Sequence, residues 1–249
     1  MRVAIVGGTG FYNIPGGKFR DEIIDTQYGK ARVFFGEEQY EDLIFLARHG
    51  VEHHIPPHKI NYRANIRALK DLGVERVMAS FAIGSINPEM APFSLILLDQ
   101  FIDFTSGRDL TFFDGGESGL VHTEMTEPYC LGLRELALKV AQAKNIPLHP
   151  KGTYVCTNGP RFETAAEIRM YKMLGADVVG MTGVPEVALA RELGLHYAAI
   201  AFSINWAAGV YGEKITFFDG EMGPLKMKIL EIFVDVLKSP TVSACHCQG

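Results

Sequence analysis

The chain has 249 residues, of which 47% are hydrophobic and 21% are charged, and its formal net charge is -5 at pH 7. This composition is typical of a globular protein and excludes a largely disordered chain. The acidic balance gives no general attraction to nucleic acid or to an anionic membrane, so an anionic ligand must be held by a local site. The first apolar run, residues 2–6, is too short for a signal peptide or a membrane span, and we expect a cytoplasmic protein.

Apolar β-branched runs alternate with segments of helical period along the chain. The runs predict strands at 2–6, 43–47, 75–81, 95–99, 152–156, 177–181 and 197–204. The helical periods predict helices at about 61–72, 129–144, 164–174, 184–193 and 223–238. We therefore predict a single α/β domain over 1–249 with a largely buried central sheet, ending in a flexible tail at 239–249.

The stretch 105–126 is long, rich in glycine and aperiodic. Irregular segments of this length inside a compact domain are usually functional or disordered. We expect it to form a lid or an interface loop.

Anion-binding groups follow two of the predicted strands. Backbone N–H groups of the Gly7–Gly10 segment and the Thr9 hydroxyl suit an anion at the end of the first strand, although a plain turn explains the segment equally well. Asn13 stands where a dinucleotide fingerprint needs glycine. Arg48 and His49 end the run at 43–47, and arginine suits bidentate phosphate recognition, although a surface arginine beside a structural histidine gives the same pattern.

Three polar residues mark the ends of later elements. Glu163 stands at the entrance of the helix at 164–174, where it either favours the helix dipole or accepts a ring N–H from a ligand. Thr182 either caps the helix at 184–193 or offers its hydroxyl to phosphate there. Asn205 ends the run at 197–204, and its amide both donates and accepts, which suits a purine edge.

Histidines and cysteines raise the question of a metal. His53, His54 and His58 have a suggestive spacing, but the prolines at 56–57 prevent the helix that would stack their rings, so we expect no metal there. Cys130 and Cys156 lie within predicted elements, and we expect them to be buried thiols. Cys245 and Cys247 flank His246 in the tail.

In order along the chain, these segments resemble the purine nucleoside phosphorylase and methylthioadenosine phosphorylase family. The matching blocks are GGTG, RHG with PPHKINYRANIRAL, AIGSI, DQFID, TNGPRFETAAEIRMY, GADVVGMTGVPEVALARELGL and AFSINWAAG. The resemblance implies a single-domain α/β fold around a mixed, partly barrel-like sheet flanked by helices. It also implies a homotrimer or a dimer of trimers, active sites near subunit interfaces, inorganic phosphate as co-substrate, and no metal or organic cofactor.

Carried over residue by residue, the resemblance also implies a site. Its phosphate ligands fall on Thr9, Arg48, His49, the backbone around Phe81 and Ala82, and Thr182. Its ribose and base contacts fall on Met181, Glu163, Asn205, Trp206 and Ala207, and its catalytic groups on Asn205, Glu163 and His49. Many relatives have threonine at the position of Phe81, so one hydroxyl contact is lost here.

The base-contacting residues differ from those of relatives that prefer adenine nucleosides. Such relatives have serine at the position of Glu163 and a Thr-Asp-x-Asp segment at that of Asn205. The differences favour 6-oxopurine nucleosides such as inosine and guanosine. Phosphorolysis of methylthioinosine, then of methylthioadenosine, and a nucleoside-binding module without turnover are the alternatives. The terminal Cys-x-Cys resembles that of some heat-stable relatives, which suggests a reversible disulfide or a tail contact, or else a frayed tail.

Overall fold

A computed structural model describes residues 1–8, 17–51, 54–212, 214–216, 222–240 and 245–247. Within these ranges the strands are β1 (Arg2–Gly7), β2 (Phe19–Thr26), β3 (Gly29–Gly36), β4 (Leu43–Ala47), β5 (Val74–Ser85), β6 (Leu95–Leu97), β7 (Gln100–Phe104), β8 (Thr153–Thr157), β9 (Val178–Gly180) and β10 (His196–Trp206). The helices are α1 (Tyr62–Asp71), α2 (Leu131–Ala143), α3 (Ala165–Met173), α4 (Gly183–Glu192) and α5 (Met222–Lys238). None of these helices is long and apolar enough to cross a membrane.

The strands form one mixed sheet in the order β2-β3-β4-β1-β5-β9-β8-β7, with β10 pairing off this path. The sheet branches at β5, which pairs in parallel with β1 and β10 and, near its end, antiparallel with β9. Because β4, β1, β5 and β10 run parallel, their carboxyl ends meet at one edge, where ligands bind in open α/β sheets. This mixed sheet with flanking helices confirms the predicted fold class.

Helices cover both faces of the sheet. On one face Ile66 and Leu69 of α1 and Val187 of α4 pack against the strands, and on the other Leu133 of α2 and Phe233 of α5 do so. All of these side chains are buried, and full burial of such a side chain contributes about 1.5 to 3 kcal/mol. The sheet therefore holds the strand ends rigidly between two hydrophobic layers.

Every strand and helix that the sequence predicts has a counterpart, and the structure adds β2, β3 and β7. β2 and β7 contain no buried residue, and β3 mixes exposed and buried residues, so none of them carries the long apolar run that marks a buried strand. The predicted loop at 105–126 contains only a short 3₁₀ turn at Gly116–Ser118. Of the predicted tail, residues 239–240 and 245–247 are described, and Cys247 is buried.

Candidate active site

A cavity of about 240 Å³ lies where β5, β9 and β10 end. It brings together most of the residues that the sequence predicts for the site: Arg48, His49, Phe81, Ala82, Glu163, Met181, Thr182, Asn205 and Ala207. Thr9 lies outside the described residues, as does His53 of the histidine cluster. Trp206 does not line the cavity; its ring packs against Tyr211, with centroids 4.6 Å apart.

The Arg48 guanidinium is held in place by protein groups. Its Nε and Nη2 donate to the two carboxylate oxygens of Glu186 at 2.7 and 2.6 Å, and its Nη1 donates to the Ser80 carbonyl at 2.9 Å. These bonds use three of the five N–H groups of an arginine. One N–H on Nη1 and one on Nη2 are left for an anion in the cavity, which Arg48 lines.

Glu186, on α4, is as deeply buried as its partner, with both side chains 1% exposed. The Tyr197 hydroxyl donates to the same carboxylate at 2.6 Å, and the Phe81 ring centroid lies 4.7 Å from the Arg48 guanidinium carbon. Burial opposes the charge of Arg48, but the adjacent carboxylate outweighs it, so the pKa of the guanidinium is raised above its ordinary value. The Arg48 guanidinium therefore keeps its positive charge despite its burial.

His49 and Thr182 lie beside this pair. Nδ1 of His49 is 2.9 Å from the Ile55 carbonyl oxygen, which fixes the orientation of the ring. Thr182 occupies the N-cap position of α4, but its side chain makes no capping hydrogen bond. The N–H groups of Thr182 and Gly183 donate instead to the Tyr154 hydroxyl at 3.1 and 3.3 Å. The Thr182 hydroxyl, rather than these amides, is thus the group that can meet an anion.

A carboxylate and an amide also line the cavity. The Thr157 hydroxyl donates to Oε1 of Glu163 at 2.6 Å, and Nδ2 of Asn205 donates to the Trp206 carbonyl at 2.7 Å. Glu163 is 9% exposed and Asn205 is 3% exposed. A Cβ at Gly84 would lie 3.3 Å from Nδ2 of Asn205, so the small residue at 84 leaves room for the amide. The cavity is thus lined both by a fixed buried cation and by fixed hydrogen-bond acceptors and donors.

Comparison with known proteins identifies the family of this chain. Residues 2–235 match the family model of the phosphorylase superfamily. The chain belongs to the phosphorylase superfamily. It is 49% identical to a 6-oxopurine nucleoside phosphorylase of Pyrococcus furiosus over 99% of this chain and 96% of that protein. It is 46% identical to a probable S-methyl-5'-thioinosine phosphorylase of Methanocaldococcus jannaschii over 94% of this chain and 91% of that protein.

Solved structures of other phosphorylases have the same fold. A doubly substituted adenosine/methylthioadenosine phosphorylase of Schistosoma mansoni, bound to adenine, superimposes with a TM-score of 0.87. It is 33% identical, and the match covers 95% of this chain and 90% of that one. These relatives differ in the base and sugar that their names specify, so the side chains of this superfamily member must decide its substrate.

Arg108, which the sequence did not predict as a site residue, makes several hydrogen bonds near the cavity. Its Nη2 donates to the carbonyls of Met181 at 2.8 Å and Asn158 at 3.1 Å, and its Nη1 donates to the Val184 carbonyl. Arg108 lies near the start of the 105–126 loop, so it ties this loop to the backbone of Met181, which lines the cavity, and to that of Asn158 and Val184. Gly159 leaves room for the Met181 side chain, because a Cβ there would lie 2.5 Å from Sδ of Met181.

Other supporting residues also escaped the sequence analysis. Thr157, Tyr154 and Glu186 each fix a group that lines the cavity, and Tyr197 in turn fixes Glu186. Ser80 lines the cavity as well, and its buried hydroxyl has no hydrogen-bond partner among the described residues. Two of these supporting residues stand in blocks that the family resemblance quotes: Thr157 opens TNGPRFETAAEIRMY, and Glu186 follows Pro185 in GADVVGMTGVPEVALARELGL.

Proposed function

We propose that this chain is a purine nucleoside phosphorylase that cleaves 6-oxopurine nucleosides, such as inosine and guanosine, to the free base and ribose 1-phosphate. The observation that carries the proposal is that one cavity is lined by Arg48 and Thr182 together with Glu163 and Asn205. The first pair suits inorganic phosphate, and the second suits a purine edge. The similarity to the Pyrococcus furiosus enzyme supports the same assignment.

The proposed mechanism depends on where charge develops. As the bond from C1' to N9 stretches, the ribose gains oxocarbenium character and the base gains negative charge. Phosphate held by Arg48, His49 and Thr182 stabilises the sugar and then captures C1'. Asn205, donating near N7, stabilises the leaving purine, and losing one such transition-state donor costs roughly 3 to 4 kcal/mol.

The preference for 6-oxopurines follows from the hydrogen bond between Thr157 and Glu163. Because the threonine hydroxyl donates to Oε1, the carboxylate is held as an acceptor, and Oε2 remains for the N1–H of hypoxanthine or guanine. Adenine carries a lone pair at N1 and would leave this buried acceptor unpaired. A site built for specific polar partners rejects the mismatched analogue by roughly 10⁴ to 10⁵.

Methylthioinosine is the second candidate substrate. The cavity lining includes Phe202, Ile204 and Ile215, which suit an apolar 5' substituent, and the Methanocaldococcus jannaschii relative is named for this activity. The base-reading residues are the same for both substrates. The two candidates therefore differ only at the 5' position.

The proposal extends to the assembly and the compartment. Exposed apolar side chains at Phe162, Met170, Met173 and Leu174 form a patch on and before α3, next to the cavity that Phe162 lines. Such a patch supports burial against another copy, in a homotrimer or a dimer of trimers. The four cysteines are unpaired thiols, which persist in a reducing compartment, and this supports the cytoplasm. Light scattering coupled to gel filtration tests the assembly.

A substrate panel tests the proposed function. Inosine, guanosine, adenosine, methylthioinosine and methylthioadenosine are each incubated with the enzyme, with and without phosphate, and the free base is measured. We expect release of hypoxanthine and guanine only when phosphate is present. Faster release of adenine than of hypoxanthine would refute the base assignment, and absence of turnover would favour a binding module.

A further inference from the structure

A cluster of four metal-ligating side chains lies away from the active site. Sγ of Cys130, Nδ1 of His196 and Sγ of Cys245 and Cys247 form this cluster, with their ligand atoms all within 4.8 Å of one another. Nδ1 of His196 is 3.6 Å from Sγ of Cys130 and 3.2 Å from Sγ of Cys245. Residues from three parts of the chain meet here: the start of α2, the start of β10 and the C-terminal segment.

The spacing fits one tetrahedral ion. Zinc binds thiolate sulfur at about 2.3 Å and histidine nitrogen at about 2.0 to 2.1 Å, so the edges of a Cys₃His tetrahedron are about 3.8 Å between sulfurs and about 3.5 Å from sulfur to nitrogen. The two sulfur–nitrogen distances in the cluster lie close to that edge. We propose that Cys130, His196, Cys245 and Cys247 form a structural zinc site that fastens the C-terminal segment to the domain.

The surroundings suit the charge of such a site. Three thiolates and a neutral imidazole around Zn²⁺ carry a net charge of -1. Arg191, which is 8% exposed, donates through Nη2 to the His246 carbonyl at 3.1 Å, within the Cys-His-Cys segment itself. A cavity of about 260 Å³, lined by Glu124, Thr126 and Arg191 among others, borders the cluster and gives an ion a path to it.

A disulfide is the competing use of the same cysteines. It joins two sulfurs at about 2.05 Å and needs an oxidant, and it has no use for an imidazole nitrogen close to two of the sulfurs. All four cysteines are free thiols in the structure. The imidazole is therefore the feature that favours a metal over a disulfide.

The proposed site is separate from the phosphorolysis chemistry. His196 and Asn205 lie at opposite ends of β10, nine residues apart, which is about 30 Å along a strand. Among the residues that the structure describes, none lines both the active-site cavity and the cavity beside the cluster. Zinc is therefore expected to stabilise the fold and to leave the reaction itself unchanged.

Cobalt binding tests the site directly. The reduced, metal-free full-length protein is titrated with Co²⁺ without oxygen, and the visible bands of tetrahedral thiolate-bound cobalt are followed. Zinc content is measured by mass spectrometry after reconstitution. We expect one ion per chain, a higher melting temperature with Zn²⁺, and at least a tenfold loss of affinity in Cys247→Ser and in His196→Asn. Cys156→Ala, which removes another buried cysteine, is the matched control and should bind like the parent.

Three results would overturn the proposal. One is that the fully reduced parent binds no cobalt, and another is that Cys247→Ser and His196→Asn bind it as well as Cys156→Ala does. The third is a Cys245–Cys247 disulfide that survives the reductant, seen as an intact mass two hydrogens lower. Phosphorolysis of inosine reports whether each variant is folded, and Cys245→Ser replaces Cys247→Ser if the latter does not fold.

Discussion

Arg48 is the residue that best shows how the proposed phosphate site is prepared before its ligand arrives. Its guanidinium is fixed by Glu186, by the Ser80 carbonyl and by the Phe81 ring. Binding phosphate therefore requires no reordering of this long side chain, whose immobilisation would otherwise oppose binding. The sequence predicted a role only for the backbone of Phe81, but its ring also contacts the Arg48 guanidinium.

The first prediction concerns this residue. Arg48→Ala removes its N–H donors to phosphate, and the loss of even one hydrogen bond to a charged group costs about 1.5 to 3 kcal/mol, so KM for phosphate should rise by at least roughly 10- to 150-fold. KM for inosine should change much less. Initial rates over a matrix of phosphate and inosine concentrations separate the two constants. Because Arg48→Ala also leaves Glu186 buried without its partner, Arg48→Lys is measured alongside; an unchanged phosphate constant in both variants would remove Arg48 from the site.

The second prediction is that base specificity depends on Glu163 and Asn205. Asn205→Asp replaces a donor by an acceptor that repels O6, and Glu163→Ser removes the carboxylate that opposes N1 of adenine. The double variant should shift the ratio of kcat/KM for inosine over adenosine further than either single variant. Non-additivity is expected because the two residues share one ligand.

The control for this series is Trp206→Phe, since that ring packs on Tyr211 outside the cavity lining. Its ratio should stay close to that of the parent. A parent enzyme that prefers adenosine, or a ratio that the double substitution leaves unmoved, contradicts the assignment.

At the scale of elements, the sequence predicted the centre of the sheet and missed its edges. The central strand β1 is almost wholly buried and reads as an apolar run, whereas β2 and β7, which end the sheet on either side, are largely exposed. Charged residues protect such edges from pairing with other chains, so their sequences look like loops. The five helices were predictable because each buries one apolar face.

The sequence predicted the site residues that stand at the end of a strand, but not those whose contacts join segments far apart in the chain. Arg48 and Asn205 stand at strand ends, so the neighbouring sequence was enough to predict them. Glu186 lies 138 residues from Arg48, and Arg108 reaches carbonyls up to 76 residues away, so no local pattern records these contacts. Only the folded sheet brings them together.

The 105–126 loop gives a prediction at this scale. Arg108→Ala removes the bonds that tie the loop to the Met181 and Asn158 carbonyls, and it should raise KM for the nucleoside and lower kcat, because these segments shape the cavity. Cleavage within 105–126 by a low dose of protease should also become faster, since the loop loses its anchor.

Arg67→Ala is the matched control for Arg108→Ala, because Arg67 is half-exposed and pairs only with Asp71 among the interactions described on α1. Its kinetics and its rate of cleavage should equal those of the parent. Parental kinetics in Arg108→Ala would mean that the loop does not position the cavity.

For the whole molecule, the buried ion pair links stability to phosphate. Glu186→Gln leaves Arg48 as an uncompensated buried cation, and breaking such a pair costs about 3 to 5 kcal/mol, so the phosphate-free protein should melt roughly 6 °C lower or more. Phosphate then supplies the missing negative charge. The rise in melting temperature on adding phosphate should therefore be larger in Glu186→Gln than in the parent.

Differential scanning calorimetry over a phosphate series measures this linkage. Glu192→Gln, also on α4, removes a carboxylate that accepts from the Phe112 N–H and has no recorded arginine partner, so it controls for the loss of one negative charge. Its phosphate-dependent shift should match that of the parent. An equal shift in Glu186→Gln would show that phosphate does not reach Arg48.

The depth of the Arg48–Glu186 pair also determines how the enzyme responds to ionic strength. Mobile ions screen charges that face solvent, and at 0.1 M salt they do so over about 10 Å. Both members of this pair are 1% exposed, and the carboxylate cancels the long-range field of the cation. An inert salt such as sodium chloride should therefore change KM for phosphate very little, whereas a site built from exposed lysines would weaken steeply over the same range.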